Sequence, residues 1–530
     1  MKRRTLLASG LAAGASALAA PGIGRAEGAS TLRFIPQADL AVLDPIWTTA
    51  YVTRNHGYLV FDTLFGLDEQ YKAQPQMAEG ASTEDGGKTW RIGLRDGLAF
   101  HDGTPVLARD CVASLTRWGK RDTFGQALFD AIDEVSAADD LTLVFRLKRA
   151  FPLLPDALGK PGSNMPAIMP ERLAKTDPFT QVTEMVGSGP YKFLAAERVP
   201  GARVAYERFA GYVPRASGTA SFTAGPKVAH YDRVLWTVIP DSATAAGALQ
   251  SGEQDWWENP PGDLMPLINN RPDIRVVNQD PTGYLGMMRP NFLHPPFDNP
   301  QLRRAIMGAI NQADFMEAAA GSDPKLYKTG VGVFCPVSPM ATDVGMAALT
   351  GPRDLDRARQ GIKDAGYKGE PVVFMGATDF PIINAIANVG QDLLHRLGLN
   401  VDYQAMDWGT LVQRRAKHDA PDQGGWSVFC TYWSGLDTFN PATDPSIRGN
   451  GAGGWFGWPT FPEMESLRQA WLEAPDLAAQ RAIAAKMQER FFEVTPYYPL
   501  GLLYEPTAYR TSLTGVLNGG FVLFWNVRPA

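Results

Sequence analysis

The sequence predicts a mixed α/β protein with two or three lobes, from its length and from two kinds of apolar periodicity. A chain of 530 residues is longer than one hydrophobic core usually serves. Apolar residues alternate with polar ones over Trp90–Leu94 and over Leu141–Leu147, as in half-buried strands. Between these stretches, Val112, Leu115 and Trp118 follow the spacing of one helix face.

Further elements are predicted along the rest of the chain. Asp298 or Asn299 can cap a helix that has Pro300 in its first turn, and an apolar stripe follows as far as Ile310. A second amphipathic helix is predicted over Ile382–Leu397, with Gly398 placed to end it. Other predicted elements are strands near Leu32–Ile35 and Val234–Ile239, a helix over Ser242–Leu249, and a helix capped by Asp476.

Composition excludes several classes of protein. Apolar residues make up 45% of the chain, which is too high for a disordered protein. The net charge is −6, and no basic run is long enough to indicate nucleic-acid binding. We therefore expect a globular protein that binds no nucleic acid.

Residues 1–26 have the pattern of an export signal. Arg3 and Arg4 precede an Ala/Leu/Gly stretch that ends near Ala20, and Gly24-Arg25-Ala26 offers small residues for a signal peptidase. The arginine pair predicts a twin-arginine signal, and an ordinary Sec signal is the alternative. No cysteine follows the stretch for lipidation, so we expect a periplasmic protein without a lipid anchor.

Three cysteines, Cys111, Cys335 and Cys430, are present. This odd number permits at most one disulfide, and the spacing does not choose the pair. The simpler interpretation is three small buried apolar side chains. In either case the fold does not depend on a disulfide framework.

No catalytic or metal site is predicted. The stretch Gly87-Lys88-Thr89 lacks the first glycine of a phosphate-binding loop, because Ser82 stands there, and no Gly-x-Ser-x-Gly motif exists. The six histidines show no pair at i, i+3 or i+4. We expect a protein that is not an enzyme and that needs no cofactor.

Several motifs resemble family 5 of the extracellular solute-binding proteins, which serve ABC importers of dipeptides, oligopeptides and nickel complexes. The most specific is Phe100-His101-Asp102-Gly103-Thr104-Pro105, followed by the helix start Ala108-Arg109-Asp110. Leu43-Asp44-Pro45, Gly187-Ser188-Gly189-Pro190-Tyr191 and Pro296-Phe297-Asp298 match further family motifs in the same order. From the residues alone, Phe100 reads as core, Asp102–Pro105 as a tight turn and Asp110 as a capping group, so these motifs are expected to hold the fold.

The resemblance implies a two-lobed clamp of the periplasmic-binding-protein type, in the large type II class with an accessory domain. Lobe I would comprise residues 31–60, 187–283 and 502–530, the accessory domain residues 61–186, and lobe II residues 284–501. The lobes would close over the ligand about a hinge and then present a closed, monomeric protein to permease subunits in the inner membrane.

The resemblance also implies the ligand site. Asp437 falls where peptide-binding relatives carry an aspartate for the ligand amine, although the surrounding pattern is shifted, and a loop-capping role is the alternative. Arg289 interrupts an apolar strand and either holds a ligand carboxylate or lies on a solvated face. The full set of predicted ligand-binding residues is Asp437, Trp433, Tyr432, Trp47, Tyr51, Arg289 and Trp408.

The predicted function is capture of a short peptide for an ABC importer. The same fold could instead bind an opine, an oligosaccharide, a glutathione-like molecule or a metal complex. A secreted hydrolase and a chaperone-like or signalling receptor are the alternatives from other classes.

Overall fold

The computed structural model describes residues 30–530, and the predicted signal peptide lies outside the described residues. The chain forms three main sheets, each built from the alternating segments that the sequence pattern indicates. We call the seven-stranded sheet the first sheet, the six-stranded sheet the second sheet, and the four-stranded sheet the accessory sheet.

The first sheet is mixed and draws its strands from distant parts of the chain. Thr31–Ile35 lies parallel to both of its neighbours, and the other pairings are antiparallel. In spatial order its strands are Ile274–Val277, Thr507–Arg510, Trp256–Trp257, Thr31–Ile35, Arg233–Thr237, Arg203–Arg208 and Tyr191–Phe193. The ring of Phe34 lies 5.6 Å from those of Trp236 and Trp256, so an aromatic cluster fills this core.

The second sheet has three adjacent central strands that are buried along their whole length. In spatial order its strands are Tyr327–Lys328, Tyr498–Leu503, Tyr284–Pro290, Val428–Ser434, Pro371–Ala377 and Asn400–Met406. Eight α-helices lie in the chain between strand Tyr284–Pro290 and strand Tyr498–Leu503. They are Pro300–Met307, Gln312–Ala320, Ala347–Thr350, Leu355–Asp364, Pro381–Arg396, Trp408–Arg414, Pro462–Leu472 and Leu477–Val494.

The accessory sheet is antiparallel throughout and is covered by short helices. Its strands are Ala78–Glu84, Thr89–Leu94, Thr142–Leu147 and Ile132–Ala137, in spatial order. The neighbouring helices are Ala108–Trp118, Thr123–Ala131, Leu154–Leu158 and Glu171–Ala174. The remaining elements are helices Tyr51–Val60, Ser242–Ser251 and Met265–Ile268, and the strand pairs Phe65–Leu67 with Ala73–Pro75 and Leu513–Thr514 with Arg528–Pro529.

Helix caps lie where the sequence predicted them. The side chain of Asn299 accepts hydrogen bonds from the backbone N–H groups of Gln301 and Leu302, at 2.9 and 3.4 Å. Asp476 caps its helix in the same way. The predicted apolar stripe as far as Ile310 is wrong as a single helix. The helix ends at Met307, and Asn311 begins the next one by accepting from the backbone of Ala313.

Two segments of the chain cross from the first sheet to the second. Residues 278–283 join strand Ile274–Val277 to strand Tyr284–Pro290, and residues 504–506 join Tyr498–Leu503 to Thr507–Arg510. Leu502 and Leu503 pair with Leu285 and Tyr284 in the second sheet. The division into lobe I, an accessory domain and lobe II stays a prediction, and residues 504–506 are the crossing nearest to its predicted boundary at residue 502.

The family motifs at the N-terminal side hold the fold together. Asp44 is fully buried and accepts from the guanidinium of Arg117 at 2.6 Å and from the backbone of Val182 at 2.8 Å. Asp102 accepts from Thr104 in a tight turn, and Asp110 accepts from the backbone of Leu107 at the start of its helix. The structural interpretation of these motifs is confirmed.

Candidate ligand-binding cleft

Asp437 lies where three parts of the chain meet. It follows strand Val428–Ser434 of the second sheet and has 1% of its surface exposed. Its carboxylate accepts from the hydroxyl of Tyr51 at 2.9 Å, and from the backbone N–H and the hydroxyl of Ser163 at 3.2 and 3.0 Å. A Cβ atom at Gly162 would lie 2.5 Å from its Oδ1 atom, so glycine permits this close approach.

Every donor to Asp437 is electrically neutral. Within residues 30–530 the carboxylate forms no ion pair, although it is almost completely removed from solvent. A buried carboxylate without a cationic partner is costly, and a ligand ammonium group would supply the missing charge. The predicted alternative, in which Asp437 caps the following turn, finds no support in these hydrogen bonds, because the donors come from residues 51 and 163.

Tyr51 connects this carboxylate to a cluster of aromatic side chains. Its hydroxyl donates to Asp437 and accepts from the backbone N–H of Ser434 at 2.6 Å. Burial and the charge of Asp437 raise the pKa of Tyr51 well above its ordinary value, so it remains a neutral donor. Its ring stacks on Tyr432 with centroids 6.5 Å apart, and it lies 6.0 Å from Tyr284.

A row of aromatic side chains extends from Tyr51 along the second sheet. The ring of Tyr432 lies 5.9 Å from Phe380, and Phe380 lies 5.8 Å from Trp408. We call Tyr51, Tyr432, Phe380 and Trp408 the aromatic row. Three of the predicted site residues, Tyr51, Tyr432 and Trp408, thus belong to one continuous row of ring contacts, and Tyr51 connects that row to Asp437.

Arg415, at the far end of the aromatic row, was not predicted as a site residue. Its Cζ atom lies 4.6 Å from the ring centroid of Phe456, 5.4 Å from Trp408 and 5.8 Å from Trp455. The guanidinium donates no hydrogen bond to a described residue, and its Nε atom is buried without a partner. Burial lowers the pKa of Arg415 to about 9, which leaves it charged at neutral pH. No local pattern distinguishes it from its neighbour Arg414.

Arg289 is fully buried on strand Tyr284–Pro290 of the second sheet, so the predicted solvated-face alternative is wrong. Its Nε atom donates to the carbonyl of Phe456 at 2.7 Å, and its Nη1 atom donates to those of Ser446 and Pro496 at 2.8 and 3.0 Å. These bonds join three loops to the sheet. Its Nη2 atom has no partner among the described residues, so a ligand contact stays a prediction.

The two remaining predicted residues lie in different surroundings. The ring of Trp433 packs 5.2 Å from Trp455 and its Nε1 atom is buried without a partner, so it lies on the Arg415 side. Trp47 instead donates its indole N–H to the carbonyl of Phe179 at 3.0 Å. That contact places Trp47 against the loop that contains Phe179, and no hydrogen bond or ring contact joins it to the aromatic row among the described residues.

Two of the six histidines and all three cysteines are buried in the fold. His56 and His101 lie in the core, where burial lowers the pKa to about 3 and about 4. Cys111, Cys335 and Cys430 are all free and buried, in agreement with the interpretation as small apolar side chains. Within residues 30–530, no three His, Cys, Asp or Glu side chains are grouped as a metal site would require.

Comparison with known proteins identifies the class. Residues 72–453 match the bacterial extracellular solute-binding proteins, family 5. The chain is 38% identical, over all of both sequences, to a probable peptide ABC transporter periplasmic-binding protein, y4tO, of Sinorhizobium fredii.

Solved structures show the same fold. The periplasmic binding protein AgaA of A. tumefaciens R10, in complex with agropinic acid, has a TM-score of 0.78 at 20% identity, with 94% of this chain and 99% of that one covered. The binding protein DppA of Helicobacter pylori, in complex with the peptide STSA, has a TM-score of 0.77 at 20% identity, with 94% and 98% covered.

The two large sheets and the two chain crossings between them define a two-lobed clamp of the periplasmic-binding-protein type. The chain belongs to family 5 of the bacterial extracellular solute-binding proteins. The resemblance and the fold class inferred from the sequence motifs are confirmed. None of the described helices is both long and apolar enough to cross a membrane.

Proposed function

We propose that this protein is the periplasmic solute-binding component of an ABC importer and that it captures a short peptide between its lobes. The observation that carries the proposal is Asp437, a carboxylate that is buried at the meeting of three chain segments and bonded to neutral donors alone. The full-length relative from Sinorhizobium fredii, a probable peptide-binding protein, supports the same ligand class.

A peptide supplies the two charges that the cleft lacks. Its terminal ammonium would pair with Asp437, and its terminal carboxylate would accept a bidentate hydrogen bond from the Nη atoms of Arg415. The aromatic row between these charges offers apolar surface to the peptide backbone and side chains. The remaining predicted contacts, Trp433, Trp47 and Arg289, are secondary in this arrangement.

Closure of the clamp follows from the same contacts. Tyr51 lies in helix Tyr51–Val60, which precedes the accessory domain, whereas Asp437 and Ser434 belong to the second lobe. A ligand that bridges these segments binds the closed form more tightly than the open form. A difference of about 5.5 kcal/mol between the two binding free energies would change a closed-to-open ratio of 1:99 into 99:1. The closed protein is then the form that the permease would receive.

The test is calorimetric titration of the purified mature protein with a panel of dipeptides and tripeptides. We expect micromolar or tighter binding of at least one peptide, and a loss of about tenfold or more on Asp437→Asn. Asp392→Asn, an exposed carboxylate on helix Pro381–Arg396, is the matched control and should leave affinity unchanged. If no peptide binds, and an opine, an oligosaccharide or a metal complex does, the peptide assignment is wrong.

A further inference from the structure

Two buried arginines and a second tryptophan contact one tryptophan ring. The Cζ atom of Arg289 lies 5.0 Å from the ring centroid of Trp455, and that of Arg415 lies 5.8 Å from the same centroid. The ring of Trp433 lies 5.2 Å from Trp455 as well. We call Arg289, Arg415, Trp433 and Trp455 the arginine cluster.

The second sheet explains why these side chains meet. Arg289 lies opposite Phe429 on the neighbouring strand, and Trp433 follows Phe429 by four residues on that strand. Because side chains alternate between the two faces of a sheet, these three project from the same face. The ring of Trp455 lies 5.8 Å from that of Phe429, so it covers this face. Arg415 reaches the same place from the end of its helix, with its Cζ atom 5.9 Å from the ring of Phe429.

Three donors of the arginine cluster have no acceptor among the described residues. They are the Nη2 atom of Arg289, the Nε atom of Arg415 and the indole Nε1 atom of Trp433. The three residues are 0%, 8% and 4% exposed, so bulk water does not complete these donors. Almost all buried donors in folded proteins are hydrogen-bonded. Three unbonded donors around one ring therefore indicate that the cluster receives an acceptor from outside the chain.

Ring contacts stabilise the two guanidinium groups without bonding these donors. An aromatic ring attracts the face of a guanidinium group, whereas the N–H groups point outward in its plane. The bonded donors of Arg289 all reach backbone carbonyl oxygens, which are neutral. Burial lowers the pKa of Arg289 and of Arg415 to about 9, which leaves both charged at neutral pH. The cluster thus holds two positive charges without an ion-pair partner among the described residues.

The carboxylate of Asp444 acts on Arg289 and does not balance the cluster. Its Oδ1 atom accepts from the backbone N–H and the hydroxyl of Ser446 at 2.8 and 2.6 Å, and its Oδ2 atom is buried without a partner. Burial raises the pKa of Asp444 to about 7, so the group is only partly ionised at neutral pH. Two guanidinium charges therefore outweigh it.

The approach to the arginine cluster leads along the aromatic row. Trp408 is the last member of that row, and its ring centroid lies 5.4 Å from the Cζ atom of Arg415. Trp408, Trp455 and Phe456 are only half-buried, so the rings around this guanidinium keep accessible surface. A solute whose ammonium group is held by Asp437, and which lies along the row, is directed toward Arg415.

We infer that the solute carries two carboxylate groups at the end opposite its ammonium group, and that the arginine cluster binds both of them. The inference rests on the proposed function, and it names the substrate class as short peptides with an acidic C-terminal residue. Arg415 binds the terminal carboxylate, and the Nη2 atom of Arg289 and the indole N–H of Trp433 donate to the side-chain carboxylate. A single carboxylate would leave one positive charge of the cluster unpaired.

The test compares peptides that differ in one charge. Alanyl-glutamate and alanyl-glutamine have side chains of the same size, and alanyl-alanyl-glutamate and alanyl-alanyl-glutamine repeat the pair at tripeptide length. In calorimetric titration, we expect the glutamate member of at least one pair to bind wild-type protein about tenfold or more tightly than its glutamine partner. Glutamyl-alanyl-alanine places its side-chain carboxylate at the amino end, near Asp437. It should bind no more tightly than glutaminyl-alanyl-alanine.

Trp433→Phe removes one donor of the arginine cluster and keeps an aromatic ring. This variant should reduce the preference for glutamate to about threefold or less. Trp471→Phe is the matched control, because that buried indole donates to the sulfur of Met340 and should leave the preference unchanged. Arg289→Met should also reduce the preference. Because Arg289 joins three loops to the sheet, Trp433→Phe decides the test if Arg289→Met does not fold.

The outcomes separate the inference from the proposed function. Equal binding of the glutamate and glutamine members at both lengths would overturn the inference and leave the peptide function intact. A preference that Trp433→Phe leaves unchanged would also overturn it, as would an equal preference for glutamyl-alanyl-alanine, which would indicate a response to net charge alone. Silence toward all of these peptides and toward the wider peptide panel would overturn both the inference and the proposed function.

Discussion

The hydroxyl of Tyr51 lies 2.9 Å from Oδ2 of Asp437 and 2.6 Å from the backbone nitrogen of Ser434, so one phenol joins helix Tyr51–Val60 to the end of strand Val428–Ser434 through two hydrogen bonds. Tyr51→Phe removes both bonds and keeps the ring. We expect peptide affinity to fall by about fivefold to twentyfold, because the closed form loses about 1 to 2 kcal/mol. Calorimetry measures this effect. Tyr327→Phe, whose hydroxyl reaches Glu317 at 3.5 Å outside the cleft, should bind as wild type does. Unchanged affinity in Tyr51→Phe would exclude a role in closure.

We expect Arg415 to lower the stability of the ligand-free protein and to increase its affinity for peptides. Replacement of this buried, unpaired guanidinium by methionine removes a desolvated charge, so Arg415→Met should raise the melting temperature of the ligand-free protein by about 2 to 4 °C. The same variant should bind peptides with a free carboxylate about tenfold or more weakly, and C-terminal amides as wild type does. Thermal unfolding and calorimetry measure the two effects.

The neighbouring residue Arg414 is the matched control, because its guanidinium is fully bonded. It donates to the carbonyls of Gly424 and Gly425 and to the side chain of Gln404. Arg414→Gln should therefore lower the melting temperature and leave affinity unchanged. If Arg415→Met lowers stability and retains affinity, Arg415 is a structural residue and the peptide carboxylate binds elsewhere.

Glu505 should make stability depend on pH. Its pKa is raised to about 8 by burial and by the neighbouring carboxylates of Glu258 and Asp280, whereas in the unfolded chain a glutamate ionises near its ordinary value of 4.5. The contribution of Glu505 to the free energy of unfolding is fully present below about pH 4.5 and is lost as the pH rises through about 8. The reason is that, as the pH rises, the carboxyl group of Glu505 loses its proton in the unfolded chain before it does so in the folded protein. Arg54 opposes this effect only in part, through its attraction for Glu258 and Asp280.

Glu505→Gln isolates that contribution. The melting temperature of this variant, relative to wild type, should increase steadily between about pH 5 and pH 9, since the amide does not ionise. Differential scanning calorimetry at each pH measures it, with Glu473→Gln as the exposed control. A difference between variant and wild type that is constant over this range would show that Glu505 ionises normally.

The Arg117–Asp44 ion pair should contribute to stability and not to binding. Both side chains are buried, at 1% and 0% exposure, and Asp44→Asn leaves the guanidinium without its counter-charge. We expect a loss of about 3 to 5 kcal/mol in the free energy of unfolding. Glu134→Gln, which breaks the exposed pair with Arg146, should cost less than about 1 kcal/mol. Denaturant unfolding compares them. A small loss for Asp44→Asn would contradict the structural role of the Leu43-Asp44-Pro45 motif.

Much of the fold could be predicted from the sequence because its signals are local. Asn299 and Asp476 cap helices, and Gly398 has a φ of +86°, which a side chain rarely adopts. Asp437 and Tyr51 were found through the family motifs, and the structure places them in contact. The helix caps and the glycine depend on residues that are close in sequence. Asp437 and Tyr51 could be predicted because the family motifs occur in a fixed order along the chain.

The rest of the site could not be predicted, because it depends on distant residues that meet only in the folded chain. Ser163 and Arg415 come from separate segments, and no spacing relates either of them to Asp437. Arg414 and Arg415 are adjacent in sequence, yet one is bonded and the other is not. Arg289 was ambiguous for the same reason, since its carbonyl partners belong to loops more than 150 residues away.

The central claim is that two lobes close over a short peptide, and small-angle X-ray scattering tests it most directly. Wild-type protein should show a smaller radius of gyration with a saturating concentration of the peptide that binds most tightly in the calorimetric panel than without it. Asp437→Asn should show no such change at the same peptide concentration. A radius of gyration that is identical with and without bound peptide would contradict the account.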